Sequence, residues 1–369
     1  MRKKTPLLWL SRSECAALRG LAILCIVLHN FCHWTGCAVQ ENEYLFKASN
    51  AGRMWDSLME PDPYLPVRLF SFFGHYGVPV FLFLSGFGLV MKYGSLDRLP
   101  VWRFLRYHYL KLFVMMSAGF AVFVFFDAIV RRPFAYHAEN VLAQLAMVIN
   151  LLPDPSSVIW PGPYWFFGLM LQFYIIYRLL LHRRHWGVAV GLVAVCWAAQ
   201  AVSAPTGSVL AWLRYNSVGG MLPFCAGVLA ARASQDGRLD RLAGWSRRRW
   251  ALLLACGLAA VPMSMSYQLW LWIPLVAVVF SIGIVKTFSG KALTWLEWLG
   301  HVSAAMFCIH PVLRKVFIPM SQRGAVYDGI CLYLLTTVAA AWFFKQLLDR
   351  IAIPKPDSHL QSPDHPSHP

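Results

Sequence analysis

Two imidazoles and a guanidinium share one apolar stretch. Arg19, His29 and His33 all fall within residues 16–38, whose other side chains are mainly apolar. Ionisable groups are costly in such surroundings and mark function where they occur. His29 and His33 are four residues apart, which sets both on one helix face. An imidazole titrates near neutrality, so either could take a proton from an attacking hydroxyl. A histidine in this setting can also be a core residue bonded to a neighbouring carbonyl. The pair could ligate zinc, but no Glu completes a His-Glu-x-x-His pattern, and no metal site is expected. Arg19 sits about one turn inside the stretch. It either snorkels its charge to the headgroups or holds a carbonyl or phosphate in its planar fork.

Further polar groups cluster at related depths. His75 opens a second apolar run, Tyr164 and Trp165 open a fourth, and His310 with Arg314 comes late in a ninth. Gln172 and Tyr174 lie deeper in the fourth. Arg103 and Arg106 precede the third run, and Arg232–Arg249 is the densest basic loop, ending in Arg247-Arg248-Arg249. Such a loop orients helices and attracts anionic lipid, or it receives a phosphorylated donor from the cytosol.

The elements that must position these groups are membrane helices. Of 369 residues 58% are hydrophobic and 14% charged, where a soluble domain has roughly 25% charged. Apolar runs near 16–38, 70–92, 109–130, 160–181, 186–203, 212–232, 249–266, 268–287, 297–317 and 325–348 approach the length that crosses a hydrocarbon core. A shorter run, 139–152, carries Gln144 and Asn150 and reads as re-entrant or interfacial. With the N terminus inside, 23 of the 33 Lys and Arg residues fall on the inner side and 9 on the outer, while Arg19 lies within a span. That bias follows the positive-inside rule. The expected fold is all-α and integral to the membrane, a bundle of about ten transmembrane helices with both termini cytosolic. Residues 1–353 form the membrane domain, and 354–369 form a disordered cytosolic tail, rich in Pro, Ser, Asp and His. The net charge of +16 is spread over short loops, which argues against a nucleic-acid partner. The nine cysteines are scattered, form no CxxC pair and indicate neither disulfides nor zinc.

Five blocks in order carry a resemblance. They are Leu18-Arg19-Gly20-Leu21-Ala22 followed by His29, Gly77-Val78-Pro79 running to Ser85-Gly86-Phe87, and Arg103 with Arg106. Trp165 with Gln172-Phe173-Tyr174 follows, then Leu299-Gly300, Ser303 and His310-Pro311. Together they resemble membrane acyltransferase family three, the bacterial enzymes that acylate sugars of surface polysaccharides. The resemblance implies transfer of a short acyl group, usually acetyl from acetyl-CoA, to an acceptor hydroxyl across the cell (inner) membrane. It implies catalysis by His29 with Arg19. It also points to substrate and donor binding at Arg103, Arg106, Ser85, Trp165, Gln172, Tyr174 and His310. The implied partners are membrane lipid, acyl-CoA and a carbohydrate acceptor, with no bound cofactor. Two departures stand out. The family usually separates its Arg and His by ten residues; here nine intervene, which leaves Arg19 about 80° from His29 and about 40° from His33 around the helix. His33 therefore joins the catalytic candidates. Met170 and Leu171 also occupy the place where many members carry a Glu. The rival expectation is a multi-pass transporter or exporter of a saccharide-like substrate, whose intramembrane Arg and His would relay protons. No internal repeat supports that alternative.

Overall fold

The first helix starts where a capping box tells it to. The Ser11 hydroxyl accepts the Glu14 amide at 3.1 Å, and the Glu14 carboxylate accepts the Ser11 amide at 2.8 Å. Both orphan donors of the helix start are thereby satisfied, and α1 runs over Arg12–Cys32. The computed structural model describes residues 9–129 and 134–351. The Met1–Lys4 basic segment and the 354–369 tail lie outside the described residues.

Among the described residues every element is helical and there is no strand. After α1 come α2 (Ala48–Met59), α3 (Leu65–Phe73) and α4 (Gly77–Tyr93), the last two joined by one tight turn. Then follow α5 (Val101–Ala128), the short α6 (Ala138–Leu145) and α7 (Pro155–Val158), and α8 (Trp165–Ile176). Next are α9 (Trp186–Ala201), α10 (Ser208–Tyr215) and α11 (Ser217–Gln235). The short pieces α12 (Asp240–Ala243), α13 (Arg247–Leu252), α14 (Ala255–Met263) and α15 (Tyr267–Trp270) lead into α16 (Ile273–Thr287). Two long helices, α17 (Lys291–Gln322) and α18 (Val326–Leu348), close the chain.

Six of these stretches are long and apolar enough to cross a membrane: Arg12–Cys32, Leu65–Tyr93, Val101–Ala128, Gly162–Leu181, Lys291–Gln322 and Val326–Leu348. The other four apolar runs give shorter or divided helices. α9 and α16 have 16 and 15 residues. The 212–232 run splits at Asn216, where α10 ends and α11 begins. The 249–266 run divides into α13 and α14, and Gly257 and Pro262 deprive it of the propensity that an unbroken span needs. The 139–152 run forms α6 and a single turn, with both Gln144 and Asn150 buried.

Two close crossings hold the frame. α1 packs on α17 so tightly that a Cβ on Gly20 would lie 1.9 Å from the Leu296 carbonyl oxygen. A Cβ on Gly300 would lie 1.9 Å from that of Ala16. α4 meets α11 in the same way, with Gly86 against the Phe224 carbonyl and Gly227 against that of Phe83. Small residues let membrane helices approach to backbone contact, where dispersion replaces the missing hydrophobic force.

Candidate active site

The last turn of α1 carries His29, and α3 holds it in place. Its Nδ1 lies 3.0 Å from the Ser71 carbonyl oxygen and 3.3 Å from that of Phe70. Carbonyls only accept, so Nδ1 carries a proton, and Nε2 offers a lone pair when the ring is neutral. Nε2 faces the Glu43 carboxylate at 3.8 Å. One turn on, His33 Nδ1 pairs with Glu41 at 3.6 Å. The rings of His29 and His33 are 5.0 Å apart, and that of His75 is 5.4 Å from His29. Burial pushes the Glu41 carboxyl up, but the His33 contact and the charges of His29 and His33 outweigh it, leaving Glu41 at about 2.

A pinned loop delivers the two carboxylates. Ser71 bonds both backbone groups of Val39 through its hydroxyl. Buried Asn42 donates to the Lys47 carbonyl and accepts from Asn50, and its own carbonyl accepts the Trp270 indole N–H at 3.0 Å. Arg214 Nε donates to the Glu43 carbonyl at 2.6 Å, while Nη1 donates to Gln200 at 3.2 Å. The guanidinium lies over the Trp270 ring at 4.2 Å. Tyr44 stacks on Tyr215 with ring centroids 3.8 Å apart, and Trp165 packs edge-on against both rings. Glu41 and Glu43, two residues apart on one loop, thus reach two histidines that are one helical turn apart.

Two voids are lined by residues that neighbour His29. On the Nε2 side a small one of about 40 Å³ is lined by Glu43, His75, Trp165 and Arg214, with Leu82 and Leu169 among its apolar walls. Among the described residues neither ring nitrogen of buried His75 has a hydrogen-bond partner. On the other side, beyond Phe70, Gly74 and Cys25, an apolar void of about 390 Å³ opens toward α14 and α16. The ligand atoms of His29, His33 and Glu41 lie within 4.8 Å of one another. That donor set suits zinc, although tetrahedral bonds near 2 Å would draw the three closer.

A buried His–Glu pair with a fixed guanidinium beside it can move a proton and hold an anion, as acyl transfer requires. A family model described as an acyltransferase domain matches residues 15–345, from α1 into α18. The chain belongs to acyltransferase family three. Among curated proteins and solved structures nothing matches it.

In this integral membrane acyltransferase the residues singled out from sequence separate into groups. His29 and His33 meet at the Cys32 end of α1. Arg19 is exposed, ten residues and so about 15 Å back along the helix axis. It lies toward Tyr174 and Lys111, and Tyr174 lies against His108 of α5 with ring centroids 4.1 Å apart and planes tilted by 31°. Trp165 lines the small void. The Ser85 hydroxyl donates to the Phe81 carbonyl within α4. Gln172 accepts the Ser217 amide and donates to Asn216, holding the start of α11. His310 is buried in α17 with Nδ1 on the Met306 carbonyl. Arg103 and Arg106 are exposed in the first turns of α5. α5 packs on α17 and α8, whereas α13, which bears Arg247, packs on α16 and α14.

Glu41, Glu43 and Arg214 are the members that sequence reading did not single out. The two glutamates stand in the outer loop 39–69, whose acids and aromatics suit an entrance but point to no chemical role in sequence, and Arg214 counted only toward charge bias. The available signal was the i, i+2 spacing of two acids just beyond a histidine-bearing helix.

Proposed function

We propose that this membrane acyltransferase moves a short acyl group, acetyl from acetyl-CoA, onto a hydroxyl of a cell-surface sugar or polysaccharide. The observation that carries the reading is the orientation of His29. Its Nδ1 is committed to two backbone carbonyls, and its Nε2 faces Glu43 beside Arg214. The acceptor oxygen attacks the thioester carbonyl carbon while its proton passes to Nε2. Glu43 stabilises the imidazolium that forms, and Arg214 meets the negative charge that develops on the carbonyl oxygen. Collapse of the tetrahedral adduct breaks the C–S bond, and the departing CoA thiolate takes the proton back from Nε2.

The donor approaches from the cytosol in this scheme, with both termini on that side and the bundle in a bacterial inner membrane. The positive-inside bias supports that orientation. Arg19, Lys111 and Tyr174 then mark the donor side of α1, and the His29 cluster marks the acceptor side. Arg214 takes the oxyanion role that sequence alone gave to Arg19, because it lines the same void as Glu43.

Sealed inside-out vesicles from cells making the protein test this. Radiolabelled acetyl-CoA is added outside and label is counted in the saccharide fraction. Wild type transfers label, and the His29→Ala and Glu43→Gln variants lose most of it. Undiminished transfer by the His29→Ala, His33→Ala double variant sinks the reading.

A further inference from the structure

We infer that the void of about 40 Å³ beside Glu43 is the pocket that receives the acyl group, and that Leu82 and Leu169 limit that group to acetyl size. The inference rests on the acyl-transfer reading and adds the residues that set acyl length.

Which void serves the chemistry is decided by the two nitrogens of His29. Nδ1 points at the Ser71 and Phe70 carbonyls, and the apolar void of about 390 Å³ lies behind Phe70. A long acyl chain lodged there would keep its carbonyl on the committed nitrogen. Nε2 points to Glu43, which lines the small void. The reacting carbon belongs on that side.

Size follows from the volume. A cavity needs roughly 10–15 Å³ to admit one water-sized group, so about 40 Å³ admits about three heavy atoms. An acetyl group has three; a butyryl group has five. The lining is graded to match. Arg214, Glu43 and His75 supply polar atoms for a carbonyl oxygen, and neither nitrogen of His75 has a partner among the described residues. Buried polar groups in that condition are rare and call for an explanation. Leu82 and Leu169, at 2% and 1% exposure, close the apolar end. Pro79, Pro223 and Pro274 stiffen the remaining wall.

The test uses the full chain in sealed vesicles with labelled acetyl-, propionyl-, butyryl- and palmitoyl-CoA. A hydrophobic pocket discriminates by about tenfold or more per excess methylene. Wild type is therefore expected to prefer acetyl over butyryl by at least about a hundredfold. Leu82→Ala and Leu169→Ala are expected to bring butyryl within about tenfold of acetyl. Leu82→Val and Leu169→Val, which disturb packing less, are expected to shift propionyl in the same direction. Variants that still transfer acetyl with unchanged acyl selectivity overturn the inference but leave acyl transfer standing. So does wild type that uses butyryl or palmitoyl as fast as acetyl. A wild type that transfers no acyl group from any of the four donors overturns both.

Discussion

Replacing Glu43 by Gln removes one charge and almost nothing else. The side chain keeps its shape, and the backbone carbonyl that Arg214 grips is untouched. Unit charges 3.8 Å apart interact by about 4 kcal/mol at an effective dielectric near 20. That is the most Glu43 can contribute to a fully formed imidazolium on His29. With the proton half transferred in the transition state, about 2 kcal/mol is lost, or about 30-fold in kcat; full transfer gives about 1,000-fold. KM for acetyl-CoA is expected to stay within about twofold, because the interaction strengthens only as the proton arrives. Initial rates of label transfer in sealed vesicles at a series of acetyl-CoA concentrations separate the two constants. A kcat within threefold of wild type, or a change confined to KM, would falsify the assignment of Glu43 to the imidazolium.

Other expectations follow from the same geometry. Arg214→Lys cannot span the Glu43 carbonyl and Gln200 while lying flat on Trp270, so kcat falls more than about tenfold in a protein that still purifies as a folded species. Gly300→Ala puts a methyl where the Ala16 carbonyl oxygen sits and costs about 1–3 kcal/mol or more, read as a lower Tm in detergent. Glu41, held at about 2, stabilises the fold above its ordinary range near 4.5, and that contribution disappears as pH falls through 2. The Tm deficit of Glu41→Gln against wild type should therefore shrink as pH falls from about 4.5 toward 2; a deficit that still grows over that range contradicts the shift. Incubation with EDTA should leave transfer within twofold of the untreated rate, whereas loss restored by Zn²⁺ would reassign His29, His33 and Glu41 as metal ligands.

Much of the architecture could be read from the chain because hydropathy is a property of contiguous residues. Six of the ten apolar runs form helical stretches of spanning length. The 212–232 run divides at Asn216, and the 249–266 run divides at Leu253-Leu254, ahead of Gly257 and Pro262. The histidine face of α1 was equally legible, since i, i+4 spacing fixes it. The partners of that face were not. Glu43 reaches His29 only because Asn42 is tied to Lys47, Asn50 and Trp270, which are distant in sequence or meaningful only once the loop has folded. The Ser85-Gly86-Phe87 and Leu299-Gly300 blocks illustrate the converse. Their glycines are where α4 meets α11 and α17 meets α1, so a distinctive motif there reflects packing.

The crossing of α1 with α17 has a mechanical corollary. With a backbone oxygen of each helix filling the place of a missing side chain on the other, neither can slide or roll without a collision. His29 is therefore carried on the stiffest pair in the bundle. Any opening that lets a donor in and a product out must come from parts outside that pair.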